Sequence, residues 1–114
     1  MLLARLLYQE SRFRDDVITG RTASPAGALG IAQFMPGTAA ELGVDPLDPV
    51  QAIDGAARYL ARLYARFGSW DQALAAYNWG QGNQNRDLRD GIVGNEWPAE
   101  TRAYVAQITG DVPV

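Results

Sequence analysis

The sequence predicts a single, mainly α domain. Apolar residues recur at three- and four-residue spacing along several segments, and glycine and proline fall where helices start and stop. No segment alternates apolar and polar residues in the way a half-buried strand requires. At 114 residues the chain is long enough for one real core and too short for two.

The first element is LLARLLYQESRF, Leu2 to Phe13. Projected as a helix at about 100° per residue, it places Leu2, Leu3, Leu6, Leu7 and Phe13 on one side and Arg5, Gln9 and Arg12 elsewhere. Glu10 falls inside the apolar arc. On the segment alone, the ordinary reading is a hydrated carboxylate at a fraying helix end, because glutamate is almost never buried without a partner. The alternative is an acid held in an apolar pocket, where desolvation raises its pKa above about 4.3 toward the range of a neutral-pH proton donor.

A polar loop is expected from Arg14 to Pro25, followed by AGALGIAQFMPGTAAELG, in which Pro36 opens a short helix and Gly43 stops it. Val50 to Phe67 carries the strongest helical pattern, with Ile53, Ala57, Leu60, Tyr64 and Phe67 at spacings of three and four, and Gly68 ends it. Ser69 with Gln72 resembles a capping box for the next helix, where Trp70, Ala73, Leu74 and Tyr77 share a face and Gly80 suits the stop. The glycine- and asparagine-rich stretch from Gly80 to Asn95 has few helix or strand signals. Pro98 starts a last helix bearing Tyr104, Val105 and Ile108, closed by Gly110.

Composition removes many chemistries. The chain has no cysteine and no histidine, and its ten basic residues are all arginine. Ser-His-Asp triads, cysteine nucleophiles, imidazole or thiolate metal sites and lysine Schiff bases are therefore excluded, which leaves carboxylates, hydroxyls and amides. A net charge of -3 argues against nonspecific nucleic-acid binding, which needs a basic stripe. Arg58, Arg62 and Arg66 do form a row, but Asp54 precedes it by one turn, as on a solvated face. No apolar run is long enough to span a membrane, and MLLARLL is too short and too soon charged for a secretory signal. Without cysteine the redox compartment is not legible.

Four local patterns in order, QESRF, SPAGALGIAQFMPGTA, ALAAYNWG and PAETRAYV, resemble the soluble lytic transglycosylase (SLT) domain, glycoside hydrolase family 23, related in fold to goose-type lysozyme. The resemblance implies a lysozyme-like helical domain with a glycan-binding cleft. It also implies cleavage, without water, of the β-1,4 bond between N-acetylmuramic acid and N-acetylglucosamine in peptidoglycan. In that chemistry one glutamic acid protonates the leaving oxygen, then as a carboxylate takes the proton from the muramic C6 hydroxyl, which closes a 1,6-anhydro ring. The substrate's own N-acetyl group stabilises the cationic intermediate, so a second protein carboxylate is unnecessary. A lone acid with two roles benefits from a pKa near ambient pH, and this tips the reading of Glu10, which matches the acid of the ES motif, toward catalysis.

The other positions carry over one at a time. Ser24 matches a serine near the acid and the sugar's C6 region, while Ser11 is read as structural. Gln33 and Met35 match residues lining the cleft; alternatively Gln33 satisfies backbone at a turn and Met35 is core. Gly27 and Gly30 are read as letting the backbone turn and approach the ligand. Tyr77 and Asn78 match the YN pair, whose tyrosine hydroxyl approaches the acid and whose asparagine holds the glycan; by pattern alone Tyr77 is core. Glu100 and Tyr104 match the final motif, with stabilisation of a helix N-terminus competing for Glu100. Trp79 and Trp97 are candidate sugar platforms, and Trp79 could equally cap a helix end. No cofactor or metal is implied.

The resemblance implies a monomer acting on peptidoglycan at the bacterial envelope, periplasmic or extracellular, or associated with phage. The loop between Glu10 and Ser24 is longer than the family's, with VITGRT as the insertion. Little of the helical segment that usually precedes the ES motif is present, so a domain of a longer protein, whose other parts supply export and anchoring, is expected. One rival is a goose-type muramidase, which needs a base to activate water. The place two residues after Gln33 where such enzymes carry aspartate is Met35, and Asp15, Asp16 and Asp90 lie in polar loops. The other rival is a noncatalytic peptidoglycan-binding module, for which retention of Glu10 would be unnecessary.

Overall fold

The computed structural model describes residues 2–80 and 97–110. It is mainly helical, as predicted, with six helices among the described residues: α1 (Leu2–Ser11), α2 (Asp15–Ile18), α3 (Pro36–Leu42), α4 (Pro49–Phe67), α5 (Trp70–Trp79) and α6 (Ala99–Thr109). Among these residues no strand forms, and an isolated antiparallel bridge pairs Leu29 with Phe34. The chain forms two compact units, Met1–Tyr59 and Leu60–Val114, divided within α4. No described helix is long and apolar enough to cross a membrane.

In the first unit α1 buries Leu6 and Leu7. It stops earlier than predicted: Arg12 and Phe13 both have a φ of 54°, so Phe13 leaves the helical arc. Phe13 is 49% exposed and meets Tyr8 edge-on at 5.5 Å. The loop predicted from Arg14 to Pro25 contains a helical turn, α2. Asp16 organises it, accepting from the Arg14 guanidinium through both oxygens at 3.1 and 2.8 Å and from the Thr22 hydroxyl at 2.8 Å. The VITGRT stretch is therefore tied at its end to the Asp16 that precedes it.

Helix α3 starts at Pro36 and ends at Gly43, whose φ of 70° is left-handed, as the sequence predicts. Its Leu42 carbonyl, unpaired within the helix, accepts from Arg58 Nη2 at 3.1 Å, which ties α3 to α4. Phe34 meets Tyr59 of α4 in a T-shaped pair at 6.4 Å. The face of α4 is a correction. The buried stripe is Ala52, Ala56, Leu60, Leu63 and Phe67, whereas Ile53 and Tyr64 of the predicted stripe are 36% and 39% exposed. The alanines form the buried face because a neighbour approaches closely there: a Cβ added at Gly55 would lie 3.1 Å from the Val44 side chain.

In the second unit Ser69 caps α5, its hydroxyl accepting from the Gln72 N–H at 3.2 Å. Ala73, Leu74, Ala75 and Ala76 are buried. Trp70 is not on that face; it is 44% exposed and lies against Tyr64, with ring centroids 4.1 Å apart. Helix α6 follows Pro98, buries Thr101, Tyr104, Val105 and Ile108, and ends at a left-handed Gly110. It packs against α5. Of the stretch from Gly80 to Asn95, all but Gly80 lies outside the described residues, as does Asp90.

Candidate functional site

Glu10 sits in the last turn of α1 and is half-buried. The residue after it fixes where the helix stops. Buried Ser11 donates its hydroxyl to the Leu7 carbonyl at 2.9 Å and accepts the Phe13 N–H at 3.2 Å. That supports the structural reading of Ser11. Beyond it come Arg12 and Phe13, a consecutive left-handed pair that bulky residues seldom adopt. The acid therefore stands on rigid helix just ahead of a strained corner, a setting in which strain often marks function.

The loop from Ser24 to Met35 is built by its own polar groups. Ser24 Oγ accepts the Ala28 N–H at 2.9 Å, and backbone bonds run from Ser24 N to Ala28 O at 3.0 Å and from Gly27 N to Ser24 O at 2.8 Å. One of the two Oγ lone pairs is used within the loop, and the hydroxyl proton and the second lone pair remain. Gln33 has a left-handed φ of 53°, the third such non-glycine residue among those described, and its Nε2 donates to the Gly30 carbonyl at 2.9 Å. One arm of the amide thus does satisfy backbone at a turn, and Oε1 is the remaining acceptor. Met35 is not core: it precedes α3 and is 44% exposed.

The two glycines differ. Around a Cβ at Gly27 there is open space, whereas a Cβ at Gly30 would overlap the Pro46 carbonyl oxygen. The close approach at Gly30 is therefore to the chain's own backbone. Asp15 and Asp16, considered as bases for water, are engaged instead with Arg21 and Arg14, respectively, at 2.9 and 2.8 Å.

In the second unit Tyr77, Asn78 and Trp79 are half-buried near the end of α5. Asn78 Oδ1 accepts from the Thr101 hydroxyl of α6 at 2.9 Å. Glu100 is exposed in the first turn of α6, while Tyr104 is 5% exposed and Trp97 9%. Glu10, Ser24, Gln33 and Met35 belong to the unit Met1–Tyr59, and Tyr77, Asn78, Glu100 and Tyr104 to the unit Leu60–Val114. Thr101, the hydrogen-bond partner of the candidate residue Asn78, is not among the residues the sequence singles out. The sign it left is the one that singles out Glu10: a polar group at helical spacing within an apolar stripe, here with Tyr104, Val105 and Ile108. Among the described residues no group of acidic side chains is gathered to hold a metal ion.

Residues 1–95 match the family described as "Transglycosylase SLT domain". The chain belongs to that family. It is similar to a transglycosylase of Enterobacteria phage PRD1, 36% identical over 93 residues that cover 81% of this chain and 31% of the phage protein. It is also similar to membrane-bound lytic murein transglycosylase F 1 of Alkalilimnicola ehrlichii, 43% identical over 91 residues, covering 72% of this chain and 17% of that protein. The membrane-bound lytic murein transglycosylase F of Pseudoalteromonas translucida is 41% identical over 93 residues, covering 74% and 18% respectively. This SLT-domain chain thus spans less than a third of the length of these relatives. The SLT match contains Glu10, Ser24, Gln33, Met35, Tyr77 and Asn78, whereas Glu100, Thr101 and Tyr104 lie past its end.

Proposed function

We propose that the chain is the catalytic domain of a peptidoglycan lytic transglycosylase and is part of a longer protein. It cleaves the bond between N-acetylmuramic acid and N-acetylglucosamine and leaves a 1,6-anhydro end. Glu10 is the general acid and then the general base, and Tyr77 is the second catalytic residue. Ser24, Gln33, Met35, Asn78, Glu100 and Tyr104 contact the glycan. It acts at the bacterial envelope, in a host cell's own wall or as part of phage entry or release.

One observation carries this reading: the carboxylate in the SLT-matched stretch that sequence reasoning picked for proton transfer stands half-buried at a fixed helix end. A group that must be protonated at one step and ionised at the next needs such a sheltered, immobile setting. The preference for transglycosylation over hydrolysis rests on the sequence, in which Met35 stands where goose-type enzymes carry aspartate.

The experiment is Glu10→Gln, nearly isosteric yet unable to transfer the proton. Turnover of purified murein sacculi is expected to fall by about 10²–10⁴-fold, the usual contribution of a positioned acid or base, with sacculus binding retained. Mass spectrometry of the wild-type digest is expected to show anhydro ends. Reducing ends would make the enzyme a muramidase, and unchanged turnover in the variant would remove Glu10 from its role.

A further inference from the structure

Helix α6 carries two threonines that treat their hydroxyls differently. Thr109 bonds back to the Val105 carbonyl one turn earlier, at 2.8 Å, as helical threonines commonly do. Thr101 does not. The carbonyl one turn before it, that of Trp97, accepts from Arg102 Nη1 at 3.2 Å, and the Thr101 hydroxyl reaches across to Asn78 Oδ1 at 2.9 Å. Thr101 is only 2% exposed, so its end of this bond is shielded from water, while Asn78 is half-buried.

An asparagine amide presents an acceptor on one arm and two donors on the other. With Oδ1 drawn toward Thr101, the arm turned away from α6 is Nδ2, which keeps both of its donors. We propose that Thr101 is a positioning residue that fixes the Asn78 carboxamide with Nδ2 outward, so that this position reads a pure acceptor on the glycan, an N-acetyl carbonyl oxygen. The inference rests on the glycan-binding reading of Asn78 given above and adds the residue that sets its polarity. Without the hydroxyl the amide is free to rotate, and a rotated amide offers oxygen to oxygen.

The test is a double-mutant cycle with Thr101→Val, Thr101→Ser, Asn78→Ala and the Thr101→Val/Asn78→Ala pair, read as kcat/KM on sacculi. It is run beside heteronuclear NOE measurements on the Asn78 side-chain amide. Thr101→Val is expected to lower kcat/KM about tenfold, mainly through KM, as one misdirected buried hydrogen bond would. Thr101→Ser restores most of it. Added to Asn78→Ala, the valine change costs less than about twofold more, because both act through one contact. The Asn78 Nδ2 NOE falls in Thr101→Val and not in Thr101→Ser.

A merely structural threonine would lower the melting temperature at unchanged KM, and its cost would add to that of Asn78→Ala; either result overturns the proposal. An unchanged Nδ2 NOE in Thr101→Val overturns it whatever the enzyme does with murein. If the valine variant does not fold, Thr101→Ala takes its place in the same cycle. Failure of the wild-type chain to digest sacculi would instead count against the function proposed above, and the NOE comparison would still decide the role of Thr101.

Discussion

Gly30 shows how much a single residue can fix in this chain. Its φ of +81° is left-handed, and an added Cβ would overlap the Pro46 carbonyl oxygen, so both backbone conformation and space demand glycine. Gly30→Ala is expected to cost at least about 2–3 kcal/mol, from strain plus displaced backbone, and a denaturant melt would measure it. Gly27→Ala meets open space and bears only the cost of its left-handed φ, so it should be milder. Sequence could mark both as turn glycines, but Pro46 lies too far along the chain for local pattern to reveal which one is crowded. Asp16 gives the pH prediction at this scale. Its carboxyl lies below the ordinary 3.8 chiefly because the Thr22 hydroxyl bonds to it, with Arg14 assisting against some desolvation. A carboxyl depressed in the folded state adds stability above 3.8, and loses it as the pH falls through the lower folded value. Amide protection factors in Arg14–Thr22, taken relative to the intrinsic exchange rate at each pH, should therefore fall on acidification below 3.8, and Asp16→Asn should remove that pH dependence.

Helix starts and stops were legible because they are local chemistry. Pro36, Gly43, Ser69 and Gly110 each act within a turn of where they stand, and the structure uses them as the sequence predicts. The face of α4 was not legible, since two stripes of correct spacing share Leu60 and Phe67. Side-chain size favoured the stripe with Ile53 and Tyr64, but close approach of the Val44 and Phe34 region favours the small one with Ala52 and Ala56. Phe13 was misplaced for a similar reason: periodicity continues through a helix end that Ser11 enforces with its side chain. At the candidate site, the helical spacing marked Glu10 from the sequence, whereas the Asn78–Thr101 bond joins residues on different helices and left only a polar residue in an apolar stripe. The cap of α5 supplies a test. Ser69→Ala should cost about 1 kcal/mol. Gln72→Met should be neutral or stabilising, because Gln72 Oε1 is buried without a hydrogen-bond partner among the described residues, and the return arm of the capping box is not made.

On the scale of the whole chain, the family match and the fold end at different places. The match stops at residue 95, and α6, Ala99–Thr109, lies beyond it. Yet α6 packs on α5, supplies Thr101 to Asn78, and keeps Tyr104, Val105 and Ile108 at 5%, 5% and 0% exposure. Burying large apolar side chains contributes roughly 1.5–3 kcal/mol each, as an upper estimate. Three of them, with the part-buried hydrogen bond, are comparable with the whole margin of about 5–15 kcal/mol by which a domain is stable. Ending the chain at residue 95 also strips a partner from α5, in which Ala73, Leu74, Ala75 and Ala76 are all buried, so that the helix is enclosed on most of its circumference. A 1–95 truncation is therefore expected to lose its cooperative thermal transition, to lose more helical ellipticity than the missing helix accounts for, and to show no turnover of sacculi. A truncated chain that melted cooperatively within a few degrees of the full one would mean that α6 is an appendage to the SLT-matched region.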